Sequence, residues 1–143
     1  MQPADLDQVL QVEAACFLHP WSAEAFRREL EHGWSTILVA TEGRIVGFLI
    51  FWLVHDEIHI LNVATDPPHR RRGVARLLLA ETGRRAAAAD CALITLEVRR
   101  SNLAGLALYA QLGYERTAVR KGYYEAENED AIVMTRQLKD RGF

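Results

Sequence analysis

Cysteine is scarce in this sequence, Cys16 and Cys91 being the only two. Two thiols cannot build a disulfide framework, and so low a number fits a reducing compartment. Long apolar runs are missing too. The longest, Phe48-Leu-Ile-Phe-Trp-Leu-Val54, falls far short of the roughly 20 residues that span a bilayer. The amino terminus, Met1-Gln-Pro-Ala-Asp5, has neither a basic cluster nor an apolar stretch and does not read as a secretory signal. Nor is there an excess of positive charge. The formal net charge is −2, which excludes the global basicity of a generic nucleic-acid binder. Lysine is nearly absent, with Lys121 and Lys139 alone. The arginine bias runs through helix and tail alike, as genome composition would produce. These absences define the expectation of a soluble, cytoplasmic protein with no direct nucleic-acid or membrane partner.

What remains is a chain of 143 residues, 50% hydrophobic and 25% charged. One domain over residues 1–143 is expected, since a chain of this size buries about two-thirds of its unfolded surface. Apolar residues recur at helical spacing from Asp5 to Phe17, and Ser22 reads as the N-cap of a helix running to about His32 and closed by Gly33. Ile37–Ala40 and Ile45–Val54 read as strands joined by a four-residue turn, and Glu57–Thr65 as a third strand. A Leu-, Ala- and Arg-rich helix is predicted from Gly73 to about Ala89, then a strand over Leu93–Val98 and a helix over Asn102–Leu112. Tyr114–Tyr123 and Ala131–Gln137 complete the pattern as strands. Helices interspersed with strands predict an α/β or α+β sheet domain.

The chemically informative stretch is Val63-Ala-Thr-Asp-Pro-Pro-His-Arg-Arg-Arg-Gly-Val-Ala-Arg76. A strand ends, a basic loop follows, and a helix opens at Gly73. Unpaired N–H groups at the positive end of a helix dipole suit a phosphate. Gly73 permits close backbone approach and small Ala75 keeps it open. Arg70, Arg71, Arg72 and Arg76 add charge that grips phosphate oxygens. A solvated basic loop capping an ordinary helix is the plainer alternative. Neither a Walker A loop nor G-x-G-x-x-G is present, which removes the usual nucleotide readings.

Arg70-Arg-Arg-Gly-Val-Ala75 resembles the [Q/R]-x-x-G-x-[G/A] acetyl-CoA motif of the GNAT N-acetyltransferases. The resemblance continues through Leu96-Glu-Val-Arg-Arg-Ser-Asn102 and Ala107-Leu-Tyr-Ala-Gln-Leu-Gly-Tyr114. Phe17…Pro20-Trp21-Ser22, Glu57…Leu61-Asn62-Val63-Ala64 and Tyr123-Tyr124…Glu129-Asp130-Ala131-Ile132 are similar to the branch that acetylates the N-terminal alanine of a bacterial ribosomal protein. The likeness covers nearly the whole chain. It implies a mixed, mostly antiparallel central sheet splayed between two parallel strands and flanked by helices. Two departures stand out: the family's opening strand is absent or very short, and the third motif position is Ala75 instead of glycine.

The resemblance also implies roles. Val63, Ala64 and Thr65 would pair with the pantetheine arm of acetyl-CoA, and the loop from Arg70 through Arg72, Gly73, Val74 and Ala75 to Arg76 would hold its pyrophosphate. Glu97 would be the general base and Tyr109 the general acid, with Asn102 capping its helix, bonding the CoA arm, or both. An α-amino group has a pKa of roughly 7.7–8.0 and needs such a base at neutral pH. As a plain structural reading, Glu97 would pair with Arg99 or Arg100, and Tyr109 would simply pack on the core. Glu57, Tyr123, Tyr124 and Glu129 are the expected substrate residues. The acidic run Glu125, Glu127, Glu129, Asp130 is compatible with docking a basic peptide and equally with a solvated hairpin.

The implied reaction is acetyl transfer by direct attack in a ternary complex, preferably onto the N-terminal alanine of a ribosomal protein. Acetylation of lysines or small amines, and a non-catalytic acyl-CoA sensor, are the alternatives. No metal is expected. His55, Glu57 and His59 alternate on one strand face but show no fourth ligand. Cys16 and Cys91 are expected as packed thiols, and Trp21, Trp34 and Trp52 as core anchors.

Overall fold

The computed structural model describes residues 1–17, 19–124 and 129–139. A 3₁₀ turn at Pro3–Asp5 leads into α1 (Leu6–Cys16) and α2 (Ala23–Glu31). The strands β1 (Ser35–Glu42), β2 (Arg44–Val54) and β3 (Glu57–Thr65) follow, then α3 (Val74–Ala88), β4 (Leu93–Arg99), α4 (Leu103–Gln111), β5 (Glu115–Tyr124) and β6 (Glu129–Gln137). Local chemistry explains several boundaries. The Ser22 hydroxyl accepts from the Ala25 N–H at 3.1 Å, and Asn102 Oδ1 accepts from the Gly105 N–H at 2.9 Å. Both are N-caps. Gly113 takes φ +92 after α4, a left-handed geometry that favours glycine.

The strands form one six-stranded sheet in the order β1-β2-β3-β4-β6-β5. Only β3 and β4 run parallel; the other pairs are antiparallel. Both faces of the sheet are packed. On one lie Leu6, Val9 and Val12 of α1 and Phe26 of α2, against Ile37, Phe48 and Ile50. On the other, Leu78 and Leu79 of α3 and Leu106 and Tyr109 of α4 pack over Leu49, Phe51, Ile94, Leu96 and Val98. β2 therefore buries alternate residues on opposite faces, which is why Ile45–Phe51 reads as an unbroken apolar run. No strand precedes α1 among the described residues, and the Met1 amino group donates to the Ile37 carbonyl of edge strand β1 at 2.8 Å.

Two irregularities shape the functional end. β3 pairs with β4 only from Glu57/Leu93 to Ile60/Leu96. Beyond that point β3 stays on β2, with Val63 opposite Leu49, while β4 stays on β6 as far as Arg99. A register shift opposite Ile50 and Phe51 leaves Leu61 as an extra residue in β3. Such a bulge bends its strand and increases local twist, so the two strands separate. The second device is Gly47. A Cβ there would lie 2.6 Å from Val74 Cγ1 and 2.9 Å from the Ala64 carbonyl oxygen. The missing side chain lets the first turn of α3 sit against β2 and β3.

Some expectations fail here. His55 lies in the β2–β3 turn with φ +54, so it cannot share a strand face with Glu57 and His59. Trp34 is 49% exposed and stacks on His32, with ring centroids 4.5 Å apart. It lies in the short connection between α2 and edge strand β1. Trp21 does pack, tilted against Phe26 at 5.5 Å, and Trp52 Nε1 donates to Glu29 Oε2 at 2.8 Å.

Gly47→Ala is expected to cost about 1–3 kcal/mol through overpacking against a backbone carbonyl. A thermal melt should show Tm lowered by several degrees, and an unchanged Tm would mean that α3 moves away freely.

Candidate active site

The gap between the separating strands is a cleft of about 310 Å³ whose walls include Leu61, Asn62 and Val63 of β3 and Glu97, Val98 and Arg99 of β4. The α1–α2 connection contributes Phe17, His19 and Trp21. A second cavity of about 550 Å³ runs from the cleft along β3 to the start of α3. It is lined by Val63, Ala64, Thr65, Arg70, Arg71, Gly73, Val74, Ala75, Arg76 and Asn102, which is nearly the whole predicted cofactor set. Phe17, Val63, Asn102 and Tyr109 belong to both cavities. The channel and the cleft thus meet where the parallel strands part.

The basic end is built for an anion. Gly73 caps α3 with φ +78, and Arg71 holds φ +66. For a non-glycine residue this left-handed geometry is uncommon and costs about 1–2 kcal/mol. The first helical N–H groups of α3 face this turn without intrahelical acceptors. Asp66 steadies the preceding corner: it is buried, and Arg44 Nη2 donates to its Oδ2 at 2.6 Å. Arg70 Nε donates to the Thr65 carbonyl at 3.2 Å, and Arg76 bonds Gln111 of α4. Arg72 departs from expectation. It does not line the channel and instead pairs with Glu42 at 3.7 Å, turned across the loop toward the β1–β2 hairpin.

These residues fit acetyl-CoA. A basic helix start suits the pyrophosphate, and the edge of β3 that β4 has vacated offers N–H and C=O groups to an amide-bearing arm. Cys16, half-buried in the same channel, donates from Sγ to the Thr65 carbonyl at 3.2 Å. Burial pushes its thiol pKa up, against the opposing pull of Arg70, so it is a packed thiol and a poor nucleophile.

At the cleft end, Arg120 Nη1 of β5 donates to Glu97 Oε1 at 2.5 Å. The ion pair seen for Glu97 is with Arg120, while Arg99 and Arg100 pair with the start of β6. Arg99 reaches Glu129 at 3.5 Å and Arg100 reaches Asp130 at 3.2 Å. Tyr109 is 9% exposed, lies edge-on to Tyr114 at 5.9 Å, and lines both cavities.

The substrate expectations fare less well. Glu57 sits beside Leu93 at the paired end of the strands, three residues and about 10 Å of extended chain before Ile60, where the cleft lining begins. Its carboxylate bonds His59 Nε2 at 2.9 Å. Glu129 lines neither cavity; its Oε1 accepts from the Ser101 N–H at 2.7 Å, and its pKa is lowered first by the Ser101 side chain and then by that backbone bond. It braces the β4–α4 turn from outside. Tyr123 and Tyr124 end β5, but their side chains, like Glu125 and Glu127, lie outside the described residues. Glu13 was missed. This carboxylate is 1% exposed and lines the cleft. Its signal was its place on the apolar stripe of α1, four residues after Val9 and three before Cys16.

A parted parallel strand pair, a basic glycine-capped helix start beside it, and a cleft holding a carboxylate and a buried tyrosine define an acyl-CoA-dependent transferase. The family model for the acetyltransferase (GNAT) family matches residues 6–114, and the chain belongs to that family. It is similar to the [ribosomal protein bS18]-alanine N-acetyltransferase of Salmonella typhimurium, with 32% identity over 94% of this chain and 92% of the relative. The crystal structure of the ribosomal-protein-S18-alanine N-acetyltransferase from Escherichia coli superposes with a TM-score of 0.90 at 30% identity, covering 99% of this chain and 93% of that one. Ard1 from Thermoplasma volcanium shares the fold, with a TM-score of 0.89 at 22% identity over 98% of this chain and 95% of the other.

Gly73→Ala is expected to weaken CoA binding by about tenfold, since a Cβ at this φ costs about 1–2 kcal/mol. Calorimetry with CoA checks this, and unchanged affinity would detach the glycine from the phosphate site.

Proposed function

We propose that the protein transfers acetyl from acetyl-CoA to the α-amino group of a protein N-terminus, its preferred acceptor being the N-terminal alanine of ribosomal protein bS18. The observation that carries this reading is the meeting of the two cavities at Phe17, Val63, Asn102 and Tyr109. A cofactor arm lying along β3 from the basic loop would end in the same space that an amine enters through the cleft. The names of the relatives support the acceptor, and a ribosomal acceptor implies a cytoplasmic setting.

Bound acetyl-CoA supplies an acetyl group activated as a thioester. Glu97 acts as the general base, removing the proton that keeps most of an α-ammonium unreactive at neutral pH. Arg120, bonded to Glu97, orients that carboxylate on the cleft wall. The Tyr109 hydroxyl donates a proton to the departing thiolate. Phe17 and Trp21 exclude water from one side of the cleft. Val63–Thr65, Arg70, Arg71, Gly73–Arg76 and Asn102 hold the cofactor, while Arg72 steadies the loop through Glu42.

Release of free CoA should be rapid with a basic peptide beginning in alanine, and should disappear when the same peptide is blocked at its α-amine. Turnover of a lysine-only peptide alone would overturn the α-amine assignment, and CoA binding without any turnover would favour the sensor reading. Glu97→Gln is expected to lower kcat by about 10²-fold or more at pH 7. The defect should shrink above roughly pH 9, where the amine has lost its proton unaided. Tyr109→Phe should lower kcat while leaving CoA affinity within about threefold, as loss of an acid confined to the chemical step predicts. Wild-type turnover in both variants would refute these roles.

A further inference from the structure

Glu13 has no part in the chemistry above, yet it is a fully buried carboxylate on the cleft wall. Its two oxygens are bound by two different segments. Oε2 accepts from the Trp21 backbone N–H at 3.1 Å, and Oε1 accepts from Asn62 Nδ2 at 2.8 Å. Trp21 belongs to the α1–α2 connection that forms one wall of the cleft. Asn62 belongs to the length of β3 that has left β4, next to the extra residue Leu61. A carboxylate this deeply buried is tolerated only with good hydrogen bonds. Apolar packing of α1 would be satisfied by a leucine here, so shape alone does not explain an acid. The alternative of a second proton acceptor is less well supported, because both oxygens already serve donors from the protein.

We propose that Glu13 is a positioning residue that clamps the α1–α2 connection to the unpaired half of β3 and thereby sets which protein N-termini the cleft accepts. The assignment rests on the reading of this cleft as the acceptor site. Both partners contribute to the cleft wall themselves. Losing the clamp frees the Trp21 amide and the Asn62 side chain together, so the wall shifts on both sides at once. The channel toward Arg71 and Gly73 does not include Glu13 and is expected to keep its shape. Burial raises the Glu13 pKa, and its hydrogen bonds to Trp21 and Asn62 oppose that rise, because both are stronger to the carboxylate than to the neutral acid.

Glu13→Ala and Glu13→Gln test this in the full chain. Glu13→Ala is expected to raise KM for the alanine peptide by about tenfold, as losing two hydrogen bonds to a buried charged group predicts. CoA affinity should change by less than about twofold, and the preference for alanine over leucine as first residue should narrow. Glu13→Gln keeps one acceptor oxygen but presents an N–H to the other donor, so its effect should fall between wild type and Ala. Hydrogen exchange reads the clamp without turnover. Exchange should accelerate at Trp21, Leu61 and Asn62 in Glu13→Ala and stay unchanged at residues 70–76. Unaltered exchange in those segments, or KM and CoA affinity deteriorating in parallel, would overturn the proposal. Altered exchange in a protein whose wild type acetylates no peptide would instead refute the acceptor reading while leaving the clamp intact.

Discussion

β3 and β4 lie hydrogen-bonded from Glu57 to Ile60 and from Leu93 to Leu96, and then separate although both strands continue. Backbone N–H and C=O groups left this way must find water or a ligand. The separation therefore creates an edge inside a sheet, where an edge is ordinarily confined to the rim. The other features follow from it. Leu61 supplies the bend, β6 keeps β4 extended to Arg99, and α1 and α3 contribute to the lining of the gap and its channel. Gly47 matters for the same reason, since it lets α3 approach the strand that offers this edge.

Charge is distributed to suit that arrangement. Four arginines lie between Arg70 and Arg76, and four carboxylates between Glu125 and Asp130. The first group is largely deployed as its chemistry suggests, with Arg70, Arg71 and Arg76 on the channel. In the second group, Glu129 and Asp130 are committed to Arg99, Ser101 and Arg100. Their visible work is structural, tying the β5–β6 hairpin to the turn that starts α4. The Arg120–Glu97 pair ties β5 to β4 across the intervening β6.

Much of the fold was legible because its signals are local. Ser22 and Asn102 cap helices through their own side chains, and Gly73 marks the start of α3 by a backbone angle that glycine adopts readily. Most residues that line the channel are contiguous along one loop and one strand, which let the sequence group them. Glu57 shows the limit. Alternation tells which face a strand residue takes but not which end of the strand meets the gap, and that depends on the parallel register with Leu93. The bulge at Leu61 and the stacking of Trp34 on His32 likewise arise from pairing between distant segments. Glu13 looked like one acid in an amphipathic helix. Its importance lies in Trp21 and Asn62, which only the tertiary structure brings to it.

The four residues common to the two cavities carry a thermodynamic consequence. Phe17, Val63, Asn102 and Tyr109 border both cavities where they meet. A ligand that repositions any of them alters the affinity of the other site, and linkage requires the two effects to be equal in size. Whatever free energy the first ligand invests in ordering these residues returns as tighter binding of the second. On the proposed reading, cofactor and acceptor would each gain affinity from the other's ordering of these four side chains, and by equal amounts, before any bond is made or broken.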